Sequence, residues 1–376
     1  MLDGLLPDVR RCASCHDQCL FATVEVFARA NQSFATSRKA LLLLRIAQGA
    51  MDWTPAAIDV VFSALNSGIQ HTMCVYRGDP DGWPDESRYV RVAREDVAAR
   101  GLAPAWAQAL QQKVHTTGDP YGRPDEEPRR GRAILLADAA TRRWDRTWRS
   151  DWISITNTLG VDAGWLAQGS SGFELMELGF TEDARAAATT LHRLIQRADA
   201  DELVCDSPEA TWMIENIWPT WGLDLGVQMV HAAVWLERQL QGAASRSRTG
   251  QRLAYHDPSA LARGLSVVAE PRAVLRALGV RLVEFIRSGA EAPPVGSYHG
   301  SDVGSWVDRL ASDRIASATI LGAEGIVVAS PFDLRDLTST RIPVYTFLRV
   351  VADRLNRRQA RTRRAQRENG SEIART

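Results

Sequence analysis

Apolar positions change character along the chain, and the change divides it into two kinds of structure. Residues 25 to 70 carry helical signals. Arg38 to Gln48 is an apolar, arginine-flanked stretch closed by Gly49, and Thr54-Pro55 opens the next helix with threonine as cap and proline at the first helical position. Residues 1–76 are therefore expected to form a mainly helical domain. From 77 to 132 the chain is dominated by turn formers: Asp79-Pro80-Asp81-Gly82, Trp83-Pro84, Gly118-Asp119-Pro120, Arg123-Pro124 and Glu127-Pro128. One helical segment, near Val97 to Val114, interrupts them, and the stretch reads as a connecting region.

After residue 132 short apolar runs alternate with longer amphipathic stretches, the pattern of an α/β fold with parallel sheets and crossover helices. The strand candidates are Ala133 to Ala137, Glu202 to Cys205, Arg252 to Tyr255, Arg281 to Phe285 and Gly325 to Ala329. Between them, Thr181 to Arg197 and Pro208 to Ile217 place apolar residues at three- and four-residue steps, as helices with one buried face do. The region also repeats. Leu203-Val204-Cys205-Asp206-Ser207-Pro208-Glu209-Ala210 matches Ile326-Val327-Val328-Ala329-Ser330-Pro331-Phe332-Asp333, each an apolar strand leading to a serine that caps a helix beginning with proline. Gly169-Ser170-Ser171-Gly172 has a counterpart in Pro293-Pro294-Val295-Gly296. A duplicated, Rossmann-like α/β unit of about 120 residues is expected, the first copy over 133–245 and the second over 250–355, with a basic tail over 356–376.

Composition narrows the partners. The 376 residues hold 45 basic and 45 acidic side chains, so the overall charge calls for neither nucleic acid nor an anionic membrane. The arginine run from Arg354 to Arg367 reads as a solvated helical end fraying into the tail. No apolar stretch approaches the roughly 18 residues of a membrane span. The start, Met1-Leu2-Asp3-Gly4, lacks the features of a secretory leader, and a cytoplasmic location is the expectation.

Four of the five cysteines, Cys12, Cys15, Cys19 and Cys74, lie in the first fifth of the chain. Gaps of two and three residues suit a thiolate-bound metal or an iron–sulfur centre, because one loop-to-helix turn then presents several sulfurs to one point. Three readings stay open: one [4Fe-4S] cluster, a structural zinc with His16 or His71 able to replace a sulfur, or a vestigial set of free thiols. Cys205, inside a strand, reads as a buried and inert thiol.

These motifs resemble the iron–sulfur subunits of heterodisulfide reductase-like and glycolate oxidase-like complexes, in which a helical ferredoxin-like domain precedes two CCG (cysteine-rich) domains. The resemblance rests on Cys12-x-x-Cys15-x-x-x-Cys19, on Ser170-Ser171-Gly172 with Leu178-Gly179 and Ser207-Pro208-Glu209-Ala210, and on Tyr255-His256-Asp257-Pro258-Ser259, Pro271 to Arg276 and Ser330-Pro331-Phe332-Asp333. At the family's cysteine positions this chain has Ala139 or its neighbour, Ser170, Ser171, Ser207 and Ala210 in the first unit. In the second it has Ser259, Pro294, Val295, Ser330 and Asp333. The resemblance thus implies α/β units emptied of clusters, because these side chains are not thiolate ligands. It further implies an accessory, non-catalytic subunit that transfers electrons through one N-terminal cluster or acts as a scaffold. Its partners would be protein subunits, either a flavoprotein oxidoreductase or a paralogue that keeps its CCG cysteines. The rival is a binding or assembly protein without a redox role.

Three further features bear on function. His256-Asp257 are neighbours on a strand and point to opposite faces, so they read as strand-end structure and not as a catalytic pair. The serines lack a nucleophile elbow and read as caps and turns. The Trp212 to Trp221 cluster suits either a core or a protein-binding surface. A reuse of the emptied pocket between the units for a small molecule would draw on His256, Asp257, His299 and Asp333.

Overall fold

The computed structural model describes residues 2–77, 84–241, 250–296, 304–338 and 341–373. The turn cluster at 79–83 and His299 lie outside them.

Two four-stranded, all-parallel sheets form the body of the molecule. In the first, β1 (Ala133–Leu136), β2 (Ala163–Leu166), β3 (Glu202–Cys205) and β4 (Met229–His231) lie in the order β2-β1-β3-β4. In the second, β5 (Arg252–His256), β6 (Arg281–Val283), β7 (Gly325–Val328) and β8 (Val344–Thr346) lie in the order β6-β5-β7-β8. The two orders are the same once the second set is renumbered, so the duplication read from the Ser-Pro motifs extends to the topology. The fold is α/β with a mainly helical N-terminal region and two duplicated Rossmann-like units.

All five expected strands are present, and three more accompany them: β2, β4 and β8. Each of the three is an edge strand of three or four residues. Edge strands carry less of the continuous apolar pattern that marks a strand buried on both faces, which is why these gave no signal.

Alternation along the central strands divides the interior into layers. Ala133 and Leu135 of β1 and Val204 of β3 face a core shared with Leu253 and Tyr255 of β5 and Val327 of β7, so the two units are packed against each other. Trp152 and Trp235 fill this layer with ring centroids 5.0 Å apart, and their indole N–H groups donate to the Gly164 carbonyl (2.8 Å) and Glu202 Oε2 (2.9 Å). The opposite faces of β1 and β3, through Ile134, Leu136, Leu203 and Cys205, join Leu5, Val9, Leu43 and Phe62 of the N-terminal region and Tyr89 of the connecting region. In the second unit Ala254, Ile326 and Val328 turn to a separate core.

The connecting region is more ordered than its turn formers suggest. It holds two helices, Glu86–Ala99 and Ala105–Thr117, in place of the one expected from Val97 to Val114. Gly101 at φ 69° and Pro104 before the second helix break the segment. Arg94, fully buried in the first of these helices, donates to the carbonyls of Val61 (3.1 Å) and Glu177 (2.7 Å), tying the N-terminal helices to the first α/β unit. At the other end the helix Phe347–Ile373 runs on through the arginine-rich stretch expected to fray. Its first turns pack across Trp148–Leu159 of the first unit, where Arg349 pairs with Asp151 at 3.2 Å and Asn356 donates to Ser154 at 2.8 Å.

Candidate functional site: a cysteine-lined cavity and a cavity between the repeats

Cys12 lies in the last turn of the helix Leu6–Ala13, on the face that carries Val9 inward, and Ser14 closes that helix by donating to the Arg10 carbonyl at 2.8 Å. A turn follows, with the Cys15 amide on the Cys12 carbonyl at 3.1 Å. The chain then reverses at Asp17, whose φ of 62° is left-handed, a conformation that aspartate tolerates better than most residues. The Asp17 carboxylate accepts from the Ser37 hydroxyl at 2.7 Å and from the Cys19 thiol at 3.8 Å, anchoring the loop to the helix Thr36–Ala47. Cys74 arrives separately, at the end of the short helical turn Ile69–Met73, which packs on the turn Gln18–Phe21.

The four cysteines that sequence spacing singled out line one small cavity, with His71 and Asp17 in its wall. All four are free thiols. They interact electrostatically around a ring, Cys12 with Cys19 and Cys74, and Cys15 with the same two. Burial pushes the Cys12 thiol far above its ordinary range, pushes Cys19 up to about 12 and raises Cys74. The Glu86 carboxylate adds to the first two, and Arg11 acts in the opposite direction on Cys74. His16 does not line this cavity.

Burial thus favours the protonated thiols, and a bound metal would have to displace those protons. The buried Tyr89 hydroxyl, without a hydrogen-bond partner within the geometric limits among the described residues, lies beside the Cys12 thiol. A donor to a ligand sulfur is the outer contact that tunes such centres. Among the described residues no three His, Cys, Asp or Glu side chains converge closely enough to hold a single metal ion. Under the cavity the Lys39 ammonium pairs with Glu86 and lies 4.0 Å from Glu25, and Thr36 donates to Glu86 at 2.8 Å. Sequence reading missed this buried network. Its one signal was a lysine opening the apolar run from Ala40 to Leu44.

In the α/β units the two Ser-Pro turns meet. Ser207 accepts from the Ala210 amide and Ser330 from the Phe332 amide, each at 3.2 Å, so both serines are helix caps. Glu209, in the first turn of the first of these helices, reaches across and accepts from the Ser330 hydroxyl at 2.8 Å. Ser171 donates to Asp138, through its amide at 3.0 Å and its hydroxyl at 3.2 Å, and Ser170 Oγ accepts from the Gly172 amide. Cys205 is fully buried and donates to the Ser207 carbonyl at 3.5 Å.

A second cavity opens where these turns face the N-terminal helices, lined by Glu209, Asp333, Trp212, Phe173 and Phe332 on one side and Asn66 and His71 on the other. Burial raises Glu209 to about 8, with Asp333 beside it adding to the effect. Burial likewise raises Asp333 to about 7, against the pull of Arg335, Arg314 and Arg263. The other polar candidates separate. Asp257 is held by Arg272 at 2.6 and 2.8 Å and by the Gly289 amide at 2.8 Å. His256 accepts from Arg314 at 3.1 Å through Nδ1 and lies 3.7 Å from Asp333 through Nε2. The two neighbours form no pair with each other. In the tryptophan cluster Trp218 is core, donating to the Ser171 carbonyl at 3.1 Å, whereas Trp212 walls the cavity.

The fold and these sites define a two-unit α/β protein with a cysteine-lined cavity in its helical N-terminal region. No known family model matches the chain. Over 145 residues, 36% of its length, it is 28% identical to a protein of Chromohalobacter salexigens described as a "probable membrane-anchored ferredoxin", and it spans 22% of that protein. Among the described residues no helix is long and apolar enough to cross a membrane.

Proposed function

We propose that the chain is an iron–sulfur electron-transfer protein whose single cluster, of the [4Fe-4S] type, is held by Cys12, Cys15, Cys19 and Cys74. The observation that carries this reading is the meeting of four unpaired thiols, from two separate chain segments, on one cavity. The similarity to a protein described as a ferredoxin supports it. Such a cluster would accept and release one electron at a time. The chain's own residues would hold it: Asp17 fixes the loop, Tyr89 donates toward Cys12, and Lys39 offsets the charge of Glu86 below.

In this reading the chain is an accessory subunit of a heterodisulfide reductase-like or FAD-linked complex, docked to a flavoprotein or to a paralogue with intact CCG cysteines. Its α/β units carry serines as helix caps and turn residues at the places where those domains hold ligands, so they contribute structure and not cluster chemistry.

Iron, acid-labile sulfide and zinc content of protein purified without oxygen, with EPR spectra before and after dithionite, tests the proposal. About four irons and four sulfides per chain are expected, lost in both Cys15→Ser and Cys74→Ser. One zinc and no iron would make the site structural and replace this reading with that of a binding or assembly protein.

A further inference from the structure

The cavity between the two Ser-Pro turns and the N-terminal helices has about 220 Å³ of room, against roughly 10–15 Å³ for one water. It is large enough for an organic molecule, and its polar groups are unevenly served. Among the described residues Asp333 Oδ2 is buried and has no hydrogen-bond partner, and Asn66 Oδ1 is in the same condition. Glu209 receives hydroxyl donors from Ser330 and Ser207. All three side chains line the cavity, and all three present oxygen acceptors.

The cations nearby are already committed. Arg263 donates to the carbonyls of Ser67, Ala290 and Ala292, and Arg91 pairs with Glu177 at 3.0 Å. An anionic ligand would have to compete with these partners for the two arginines, and a buried acceptor without a donor is costly. Among the described residues no three His, Cys, Asp or Glu side chains are grouped there to hold a metal ion. The remaining wall is aromatic: Phe173 lies 6.3 Å from both Trp212 and Phe332, centroid to centroid. Unserved acceptors beside aromatic faces select a ligand with N–H donors, positive charge and an apolar body.

We propose that this cavity binds a small organic amine in its protonated form, its N–H groups donating to Asp333, Glu209 and Asn66 and its apolar body lying against Trp212, Phe173 and Phe332. The site is independent of the cluster assignment, although His71 lines both cavities and so places the amine one turn of chain from the cysteines.

Isothermal titration calorimetry on the full chain provides the test, with benzylamine, phenethylamine and cyclohexylamine as probes and benzyl alcohol, benzoate and magnesium as comparisons. At least one amine should bind saturably, one per chain, and roughly tenfold or more tightly than the alcohol or benzoate. Asp333→Asn should weaken that amine by a similar factor, and Asn66→Leu gives a second reading if the first variant fails to fold by circular dichroism. Cys15→Ser should leave amine binding in place, so failure here and failure of the cluster assignment are told apart. The proposal is overturned if no amine binds at millimolar concentration, if benzoate or magnesium binds at least as well, or if the folded variants bind the amine as the parent does.

Discussion

Lys39 is one of only two lysines in the chain and is 1% exposed, an uncommon place for an ammonium group. Burial alone would push its proton off, but Glu86 and Glu25 hold the charged form and raise it above the ordinary lysine range. The group cannot be removed without cost, because two carboxylates under the cysteine loop would then be buried with no counter-charge. Lys39→Met should therefore destabilise the protein by about 3–5 kcal/mol, read as a lower midpoint in urea unfolding. Lys39→Met together with Glu86→Gln should recover part of that loss, since the pair then leaves no lone charge.

At the scale of elements, the two Ser-Pro turns show how one local motif serves two ends. Serine oxygen caps the helix and proline pre-sets its first turn, and this places Glu209 and Asp333 at the contact between the units. Ser330→Ala should cost about 1 kcal/mol as a lost cap, with a further loss from the hydroxyl that serves Glu209. The turn at Gly172 is stricter. Its φ is 86° and an added Cβ would lie 2.5 Å from the Ala184 carbonyl oxygen, so both the backbone and the space demand glycine. Gly172→Ala should destabilise by about 1–3 kcal/mol from the backbone alone, with the clash in addition, again read by urea unfolding.

At the scale of the whole molecule, buried carboxyl groups outnumber buried neutral histidines among the described residues, and this sets the response to pH. Burial raises Glu174 and Glu209 to about 8, Asp206 and Asp333 to about 7, and Asp336 to about 6. Between the ordinary carboxylate range and these values the folded state binds more protons than the unfolded state, so stability falls as pH rises. Burial lowers His231 to about 4 and lowers His256 as well, which acts in the opposite sense below pH 6.5 by favouring the unfolded, protonated imidazoles. Above about pH 6.5 the histidines no longer offset the carboxyls. The thermal midpoint should thus decline as pH rises from 6.5 to 8. A flat profile by differential scanning calorimetry would contradict the burial of these groups.

Much of the architecture was legible in the sequence, because it is written in local rules. Strands buried on both faces require continuous apolar runs, and all five such runs became strands, among them the central β1, β3, β5 and β7. Threonine, serine and proline marked helix starts at Thr54, Ser207 and Ser330, where the cap acts within three residues of itself. The grouping of Cys12, Cys15 and Cys19 was visible for the same reason. Contacts between distant segments left no such trace. The short edge strands β2, β4 and β8 exist because a neighbouring strand offers its hydrogen bonds. Cys74 joins the other cysteines only because the turn Ile69–Met73 folds onto the N-terminal loop, and Lys39 meets Glu86 across 47 positions of chain. Asn66, Glu209 and Asp333 come from three parts of the chain, so their shared cavity is a property of the tertiary structure alone: local sequence sets the conformation of each turn, and only packing decides which turns face one another.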